Sequence, residues 1–246
     1  MKALLTLFSL ACASACFGQN DHEIVQKLQP FNKIVVSHKV DLILIPGNEE
    51  SIRIEYSGVD PEKIVIDQSG KRVHVYLEHA KLFDIGEPRK DDMFGRRERY
   101  RHAHLRAYVT FRTLKLIETR GEGNVVCDGQ ILSKKLKVRA FGETDVQFAF
   151  IDAKTVKARL WGANSMSILD GDAGHVSYKM YGENKINSRG LKSITSNTTI
   201  YGEGFVRLFA SEEVRVTSFG EPNLYVSGSP YISKGIILGH ANIRRN

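Results

Sequence analysis

Apolar and polar residues alternate along most of the chain after residue 30, which is the pattern of β-strands. The apolar runs are short, and glycine, proline or asparagine residues separate them. The earliest runs cover 34–36, 40–44, 52–56, 64–66 and 73–77. No helical stripe follows residue 30, and the polar segment 21–29 predicts a loose leader or a short helix.

A glycine recurs in the second half of the chain at intervals of 18 to 21 residues, and an apolar residue lies four positions after each glycine. A period near 20 with one turn signal per period is typical of a solenoid. About 20 extended residues span about 66 Å, enough for two or three short strands in each coil. The glycines are Gly121, Gly142, Gly162, Gly182, Gly202 and Gly220, and the apolar residues are Val125, Val146, Met166, Ile186, Val206 and Leu224.

The strands that precede these glycines carry apolar residues at one parity and polar residues at the other. The parity that suits the interior contains Val138, Ala140, Val156, Ala158, Leu160, Val176, Met180, Val214 and Val216. We therefore predict an all-β fold, a single-stranded parallel β-helix or β-solenoid with coils of about 20 residues, wound right-handed as the crossover rule favours. The domain should cover 31–246, with the most regular repeats in 115–235. A β-sandwich is the alternative, but it does not require a constant interval.

The first 18 residues have the features of a secretory signal peptide: Lys2, a short apolar region over 3–13, and small residues up to Gly18. The apolar run is too short to span a bilayer. Cleavage near Gly18 would leave a leader at 19–30 and Cys127 as the only cysteine, so that no internal disulfide could form; cleavage after Ala15 is the alternative. The Ala-Ser-Ala before Cys16 lacks the large aliphatic residue usual at lipoprotein sites, which argues against lipidation there. We expect an exported protein, in the periplasm, at the outer-membrane surface or outside the cell.

A long basic segment at 79–104 interrupts the strand pattern. The formal charge of the 246-residue chain is +7 at pH 7, and 89–106 alone nets +4. Arg96, Arg97, Arg99 and Arg101 would attract an anionic partner. An exported protein rarely meets nucleic acid, so lipid phosphate or an acidic glycan is the expected class. The alternative is a solvated loop with no partner.

The chain resembles the family described as putative auto-transporter adhesin, head GIN domain, which comprises exported β-helical proteins common in Bacteroidetes. The resemblance lies in the opening strand Phe-Asn-Lys-Ile-Val-Val at 31–36, the strand Val-Asp-Leu-Ile-Leu at 40–44, and the glycine-punctuated repeats. It covers most of 31–235. It implies an adhesin-like, non-enzymatic exported protein and supplies no catalytic residue.

Equivalent positions in stacked coils form columns, and two such columns flank the glycines. The residues before the glycines predict a ladder of aromatic rings on one outer face, and those after them predict a column of carboxylates. Basic residues lie two positions before the first three rings. Rings beside charged groups suit a linear glycan, with the ring faces stacked on sugars; a purely structural ladder is the alternative. The residues are Phe141, Trp161, Tyr181, Tyr201 and Phe219; Glu143, Glu183, Glu203 and Glu221; and Arg139, Arg159 and Lys179.

No catalytic or cofactor signature is present. The chain lacks a phosphate-binding Gly-rich loop and a Gly-x-Ser-x-Gly elbow, and no calcium loop of the Asp-x-Asp-x-Asp type occurs. We therefore predict no cofactor, no metal site and no enzyme. The leading hypothesis is a binding or adhesin-like module for an envelope glycan or another anionic envelope component. The alternatives are a self-associating envelope scaffold and a polysaccharide-active enzyme, which the β-helix fold also permits.

Overall fold

A computed structural model of the chain describes residues 22–78 and 100–245. The described residues form strands, joined by turns and by one 3₁₀ turn at Pro61–Lys63. The strands are β1 (Glu23–Lys27), β2 (Lys33–Val36), β3 (Val40–Pro46), β4 (Ser51–Ser57), β5 (Ile64–Ser69), β6 (Arg72–Leu77), β7 (His104–Phe111), β8 (Leu116–Gly162), β9 (Ser165–Gly182), β10 (Asn184–Tyr201), β11 (Gly204–Phe219), β12 (Asn223–Ser227), β13 (Tyr231–Leu238) and β14 (Asn242–Arg245).

These strands stack as the coils of a β-solenoid of about five turns, spaced about 20 residues apart in sequence. The main hydrogen-bonded path runs β1-β4-β7-β3-β8-β9-β10-β11-β12-β14. From β8 onward, each strand pairs in parallel with the next coil. The predicted solenoid with coils of about 20 residues is therefore confirmed.

The register of the coils follows the glycine period. Met166 of β9 pairs with Val146 on one side and with Ile186 on the other, and Ile186 pairs in turn with Val206. These apolar residues are at most 1% exposed and form one column of the core. Fully burying one apolar side chain of this size stabilises the folded state by roughly 1.5–3 kcal/mol relative to leaving it exposed. The interior parity predicted for the strands before the glycines is also confirmed, because its residues are buried.

The glycines lie at the corners where the coil turns beside its neighbour. Gly182 has a φ of 98°, and a Cβ built on it would lie 2.5 Å from the carbonyl oxygen of Gly162. The same relation links each glycine from Gly142 to Gly220 to the one before it. A residue with a Cβ fits neither this φ nor this separation, so stacking itself demands glycine here. Gly239 continues the column beyond the predicted repeats, with a φ of 100°.

The N-terminal part departs from the parallel pattern. The expectation of a loose leader or a short helix at 21–29 was wrong, because Glu23–Lys27 forms β1, which pairs antiparallel with β4. β4 and β7 are also antiparallel, as are β5 and β6. The polar side chains of β1 suit a strand at the edge of a sheet with one solvated face. Such a strand cannot be recognised from a pattern of apolar residues.

The predicted signal peptide at 1–18 and most of the basic segment at 79–104 lie outside the described residues. Only the end of that segment is described: Tyr100 and Ala103 are buried, and Arg101 is exposed in the turn before β7. The handedness of the coils and the domain boundaries stay predictions. Among the described residues, no helix is long and apolar enough to cross a membrane.

Candidate ligand-binding face

The aromatic residues before the glycines form a continuous stack on the outside of the solenoid, which we call the ring ladder (Phe141, Trp161, Tyr181, Tyr201 and Phe219). Successive ring centroids lie 4.4, 5.3, 4.9 and 4.8 Å apart, and the interplanar angles are 1–5°. Strand pairing sets this spacing, because Trp161, Tyr181, Tyr201 and Phe219 are successive register partners. The ladder predicted from the sequence is therefore present.

The ring ladder is not part of the core. Tyr201 is 39% exposed, and the other four rings are partly exposed. The hydroxyls of Tyr181 and Tyr201 and the indole N–H of Trp161 make no hydrogen bond within the described residues. The ladder therefore presents ring edges and three hydrogen-bonding groups to the outside.

The stacking restricts how the ladder can bind. Near-parallel rings at these separations cover each other's faces, so the three inner rings have no free face for a sugar. The expected mode, in which ring faces stack on sugars, is therefore wrong for the inner rings. Ligand contact with them must be made through the ring edges and their polar atoms.

Two buried asparagines hold the corner that carries the rings. The Nδ2 of Asn164 donates to the carbonyl of Trp161 at 3.0 Å, and the Nδ2 of Asn184 donates to the carbonyl of Tyr181 at 3.0 Å. Asn164 also donates through Nδ2 to the Oδ1 of Asn184 at 2.9 Å, and its own Oδ1 accepts from the backbone N–H of Thr144 at 3.2 Å. These bonds link three coils directly behind the ladder and fix the direction in which the rings project.

Basic residues line the outer face beside the first three rings, in what we call the basic rows (Lys137, Arg139, Lys157, Arg159 and Lys179). Lys137, Arg139, Lys157 and Arg159 border a cleft of about 40 Å³. Arg159 is the register partner of Lys179. Mutual repulsion lowers the pKa of Lys137, mainly through Lys135, with further contributions from partial burial and from the other cations of the cleft. The rows therefore concentrate positive charge.

One buried carboxylate borders the basic rows. Glu118 is 4% exposed, and its Oε2 accepts from the Nη1 of Arg139 at 3.3 Å. Its Oε1 accepts from the Nε of Arg120 at 2.8 Å. Arg120 occupies the position before Gly121, where the later coils have a ring. The first coil of the repeat therefore replaces the ring with an ion-paired cation.

The carboxylates after the glycines form an exposed column on the other side of the ladder, which we call the Glu column (Glu143, Glu183, Glu203 and Glu221). Ala163 interrupts it between Glu143 and Glu183. No member has an ion pair within the described residues, so the basic rows do not neutralise these carboxylates. No group of three or more potential metal ligands occurs in the described parts of the chain.

A second cleft lies at the start of the solenoid, in the coil that precedes the first ring of the ladder. It measures about 150 Å³ and is lined by Lys39, Asp41, Ala103, His104, Leu105, Glu122 and Gly123. Its charges pair with each other and with neighbours: the Nζ of Lys39 lies 2.9 Å from Glu122, and Asp41 accepts from the backbone N–H of Asn124 at 2.8 Å. Of the arginines predicted to attract anions, Arg96, Arg97 and Arg99 lie outside the described residues.

Sequence reasoning did not assign a role to several parts of this face. Asn164 and Asn184 each lie two residues after a glycine and 20 residues apart, so the repeated asparagine is a signal for them in the sequence. Lys137 and Lys157 belong to the polar, outward parity of their strands, and the sequence alone did not indicate that they join a cationic group. Leu238 pairs with Phe219 and precedes Gly239, so it extends the ring column with an aliphatic residue.

The model of the family described as putative auto-transporter adhesin, head GIN domain, matches residues 30–230. Among solved structures, a putative adhesin from Bacteroides fragilis has a TM-score of 0.72 and 17% identity, with 91% of this chain and 96% of that one covered. A putative adhesin from Parabacteroides merdae has a TM-score of 0.62 and 15% identity, with 91% and 95% covered. A putative lipid binding protein from Parabacteroides distasonis has a TM-score of 0.59 and 13% identity, with 92% and 98% covered. No curated protein matches the sequence significantly. These structural likenesses concern the fold.

Proposed function

Because the chain belongs to the putative auto-transporter adhesin, head GIN domain family, we propose that it is an exported, non-catalytic adhesin-like protein whose ring ladder recognises a glycan. The glycan would belong to the cell envelope or to the extracellular surroundings. The observation that carries this proposal is the placement of the ladder, which stands outside the core between the basic rows and the Glu column. A face with this arrangement repeated over several coils fits an extended polymer.

The chemistry of the face supports a polar polymer. The ring edges form an apolar ridge, while the two tyrosine hydroxyls and the indole N–H can bond sugar hydroxyls. The outward residues beside the later rings are Asn197, Thr199 and Thr217, which are also partly exposed and can donate or accept. Since the asparagines behind the ladder fix the corner, the rings are held in place before a ligand binds, which lowers the entropic cost of binding.

The test is a titration of the exported protein with envelope polysaccharides, peptidoglycan fragments and lipopolysaccharide, followed by the fluorescence of Trp161. We expect a saturable change in fluorescence, and we expect the affinity derived from it to fall at least about tenfold in Tyr181→Ala and in Tyr201→Ala. Tyr231→Ala is the matched control, because Tyr231 is 71% exposed and lies off the ladder. Circular dichroism confirms that each variant is folded. Equal binding by the ladder variants and the wild type would refute the role of the ladder.

The last coil favours a second candidate, a self-associating envelope scaffold. Within the described residues β13 pairs only with β11 and β14 only with β12, so both leave an unpaired edge. Tyr231, Ile236 and Leu238 of β13 are 59–71% exposed. Exposed edges of this kind can pair with another chain. Sedimentation over a range of protein concentrations would reveal an association that Ile236→Lys abolishes; a monomer at all concentrations would exclude it.

A further inference from the structure

The cations of the outer face are concentrated at one end of the ring ladder. The five members of the basic rows lie four or two positions before the first three rings. Ser177 is the only neutral residue at these six positions. Beside the last two rings the same positions hold Asn197, Thr199 and Thr217, together with Arg215. The ladder therefore has a cationic half and a mainly neutral half.

Few carboxylates neutralise this charge. Arg139 is paired with the buried Glu118. Lys137, Lys157, Arg159 and Lys179 have no ion pair within the described residues, and the Glu column lies beyond the rings. The lowered pKa of Lys137, which has Lys135 as its largest cause, agrees with an excess of positive charge at this end. An unneutralised group of cations on a structured sheet attracts anions.

We propose that the basic rows bind the carboxylate or sulfate groups of an acidic polysaccharide that lies against the Phe141–Tyr181 half of the ladder. This inference rests on the proposed function and narrows its ligand to a polyanionic glycan. Neighbouring coils repeat at about 4.8 Å, so the cations offer regularly spaced partners to a chain that carries regularly spaced anions. The guanidinium of Arg159 can bind such an oxyanion in a bidentate manner.

The surroundings of the rows favour a glycan over an anionic lipid surface. On the side away from the rings, the outward neighbours of the cations are Thr155, Ser177 and His175, which offer hydrogen bonds but no apolar group that could enter a bilayer. The exposed large apolar residues outside the ladder lie at other positions in the chain. A membrane surface combines phosphate groups with a hydrocarbon layer. The basic rows can bind the phosphate groups, but they have no apolar side chains to enter the hydrocarbon layer.

The experiment compares polymers that share a backbone and differ in charge. Dextran is paired with dextran sulfate, and polygalacturonate with its methyl ester, so that sulfate and carboxylate are tested separately. The variant Lys157→Gln/Arg159→Gln removes two cations of the basic rows. Lys185→Gln/Lys192→Gln is its control, because both lysines are exposed, lie outside the rows and change the net charge equally. Vesicles of phosphatidylcholine with phosphatidylglycerol provide the lipid arm.

We expect an acidic polymer to bind at least about tenfold more tightly than its neutral counterpart, and the row variant to lose that margin while the control keeps it. Binding should weaken between about 50 and about 500 mM NaCl, because the groups are exposed. Equal binding of acidic and neutral polymers, with loss in Tyr181→Ala, would overturn this inference and leave the proposed function intact.

The opposite result separates the two proposals. Tight binding of the acidic polymer that depends on the rows, but is unchanged in Tyr181→Ala and Tyr201→Ala, would support the basic rows and refute the ladder. Binding to anionic vesicles that depends on the rows, with no binding to any acidic polymer, would overturn the inference in favour of a lipid surface. No binding to polymers or vesicles would overturn it as well.

Discussion

Replacing one corner glycine tests whether close stacking of the coils depends on the missing side chain. In Gly182→Ala, the new Cβ would lie 2.5 Å from the carbonyl oxygen of Gly162 and 3.3 Å from its carbonyl carbon. Because the obstacle is backbone, it cannot be relieved by rotating a side chain. The φ of 98° also lies beyond the left-handed helical region, which is centred near about 57°.

The expected cost follows from two contributions. A non-glycine residue at positive φ costs roughly 1–2 kcal/mol. An ordinary C···O contact is about 3.3–3.6 Å, so the two coils must move apart. Such a shift weakens at least one hydrogen bond between the coils, at a cost of about 1 kcal/mol. We therefore expect Gly182→Ala to lower the free energy of unfolding by about 3 kcal/mol.

Gly70→Ala is the matched control, because it carries the conformational cost without the contact. Gly70 has a φ of 55° in the turn between β5 and β6, and a Cβ built on it would have no heavy atom within 4 Å. We expect a loss of about 1 kcal/mol for this variant. Denaturant unfolding followed by circular dichroism gives both values. If the two variants lose the same stability, the glycine corners are not required by the stacking of the coils, and the reasoning fails.

Three further predictions concern buried and partly buried groups. Asn164→Ala should lower the free energy of unfolding by roughly 2–4 kcal/mol in the same assay, because Thr144 and Asn184 lose buried partners; a loss below about 1 kcal/mol would contradict this. Cys127, whose pKa burial raises to about 11, should react with a thiol reagent at about pH 8 far more slowly in the folded protein than in denaturant, and equal rates would contradict the burial. The pKa of His175 is lowered below 6.5, first by burial and then by Lys157, so its NMR titration midpoint should lie below 6.5 and move upward in Lys157→Gln. Because His175 binds its proton more readily in the unfolded protein, its titration should make the free energy of unfolding increase as pH rises toward 6.5. A midpoint above 6.5 would mean that this contribution decreases with pH instead.

Sequence period and parity were sufficient to predict the solenoid. The 20-residue interval follows from the need to place Gly162 beside Gly182, and the buried column through Met166 follows from the pairing of equivalent residues. Both constraints act on every coil, so they leave a repeated trace in the sequence. β1 leaves no such trace, because its polar residues satisfy an edge position that, in the part of the chain that the structure describes, pairs only with β4.

The ring ladder was predictable for the same reason, but its chemistry was not. The repeated aromatic residue predicts that Tyr181 lies next to Trp161. The sequence does not show that the two rings stack face to face, with an interplanar angle of 4°. The basic rows depend on what neutralises each cation across coils. Glu118 pairs with Arg139 from 21 residues earlier in β8, and only the folded structure shows that Lys157 and Arg159 lack a similar partner among the described residues.

The uniform glycine corners make the coils interchangeable units. Deleting 163–182 would remove one whole coil and place Gly162 directly before Glu183, so that the remaining corners and core columns would meet equivalent partners. Duplicating the same segment would lengthen the solenoid by about 4.8 Å. Evolution can therefore adjust the reach of this protein in fixed steps, by duplicating or losing a short stretch of its gene, while each local contact stays as it is.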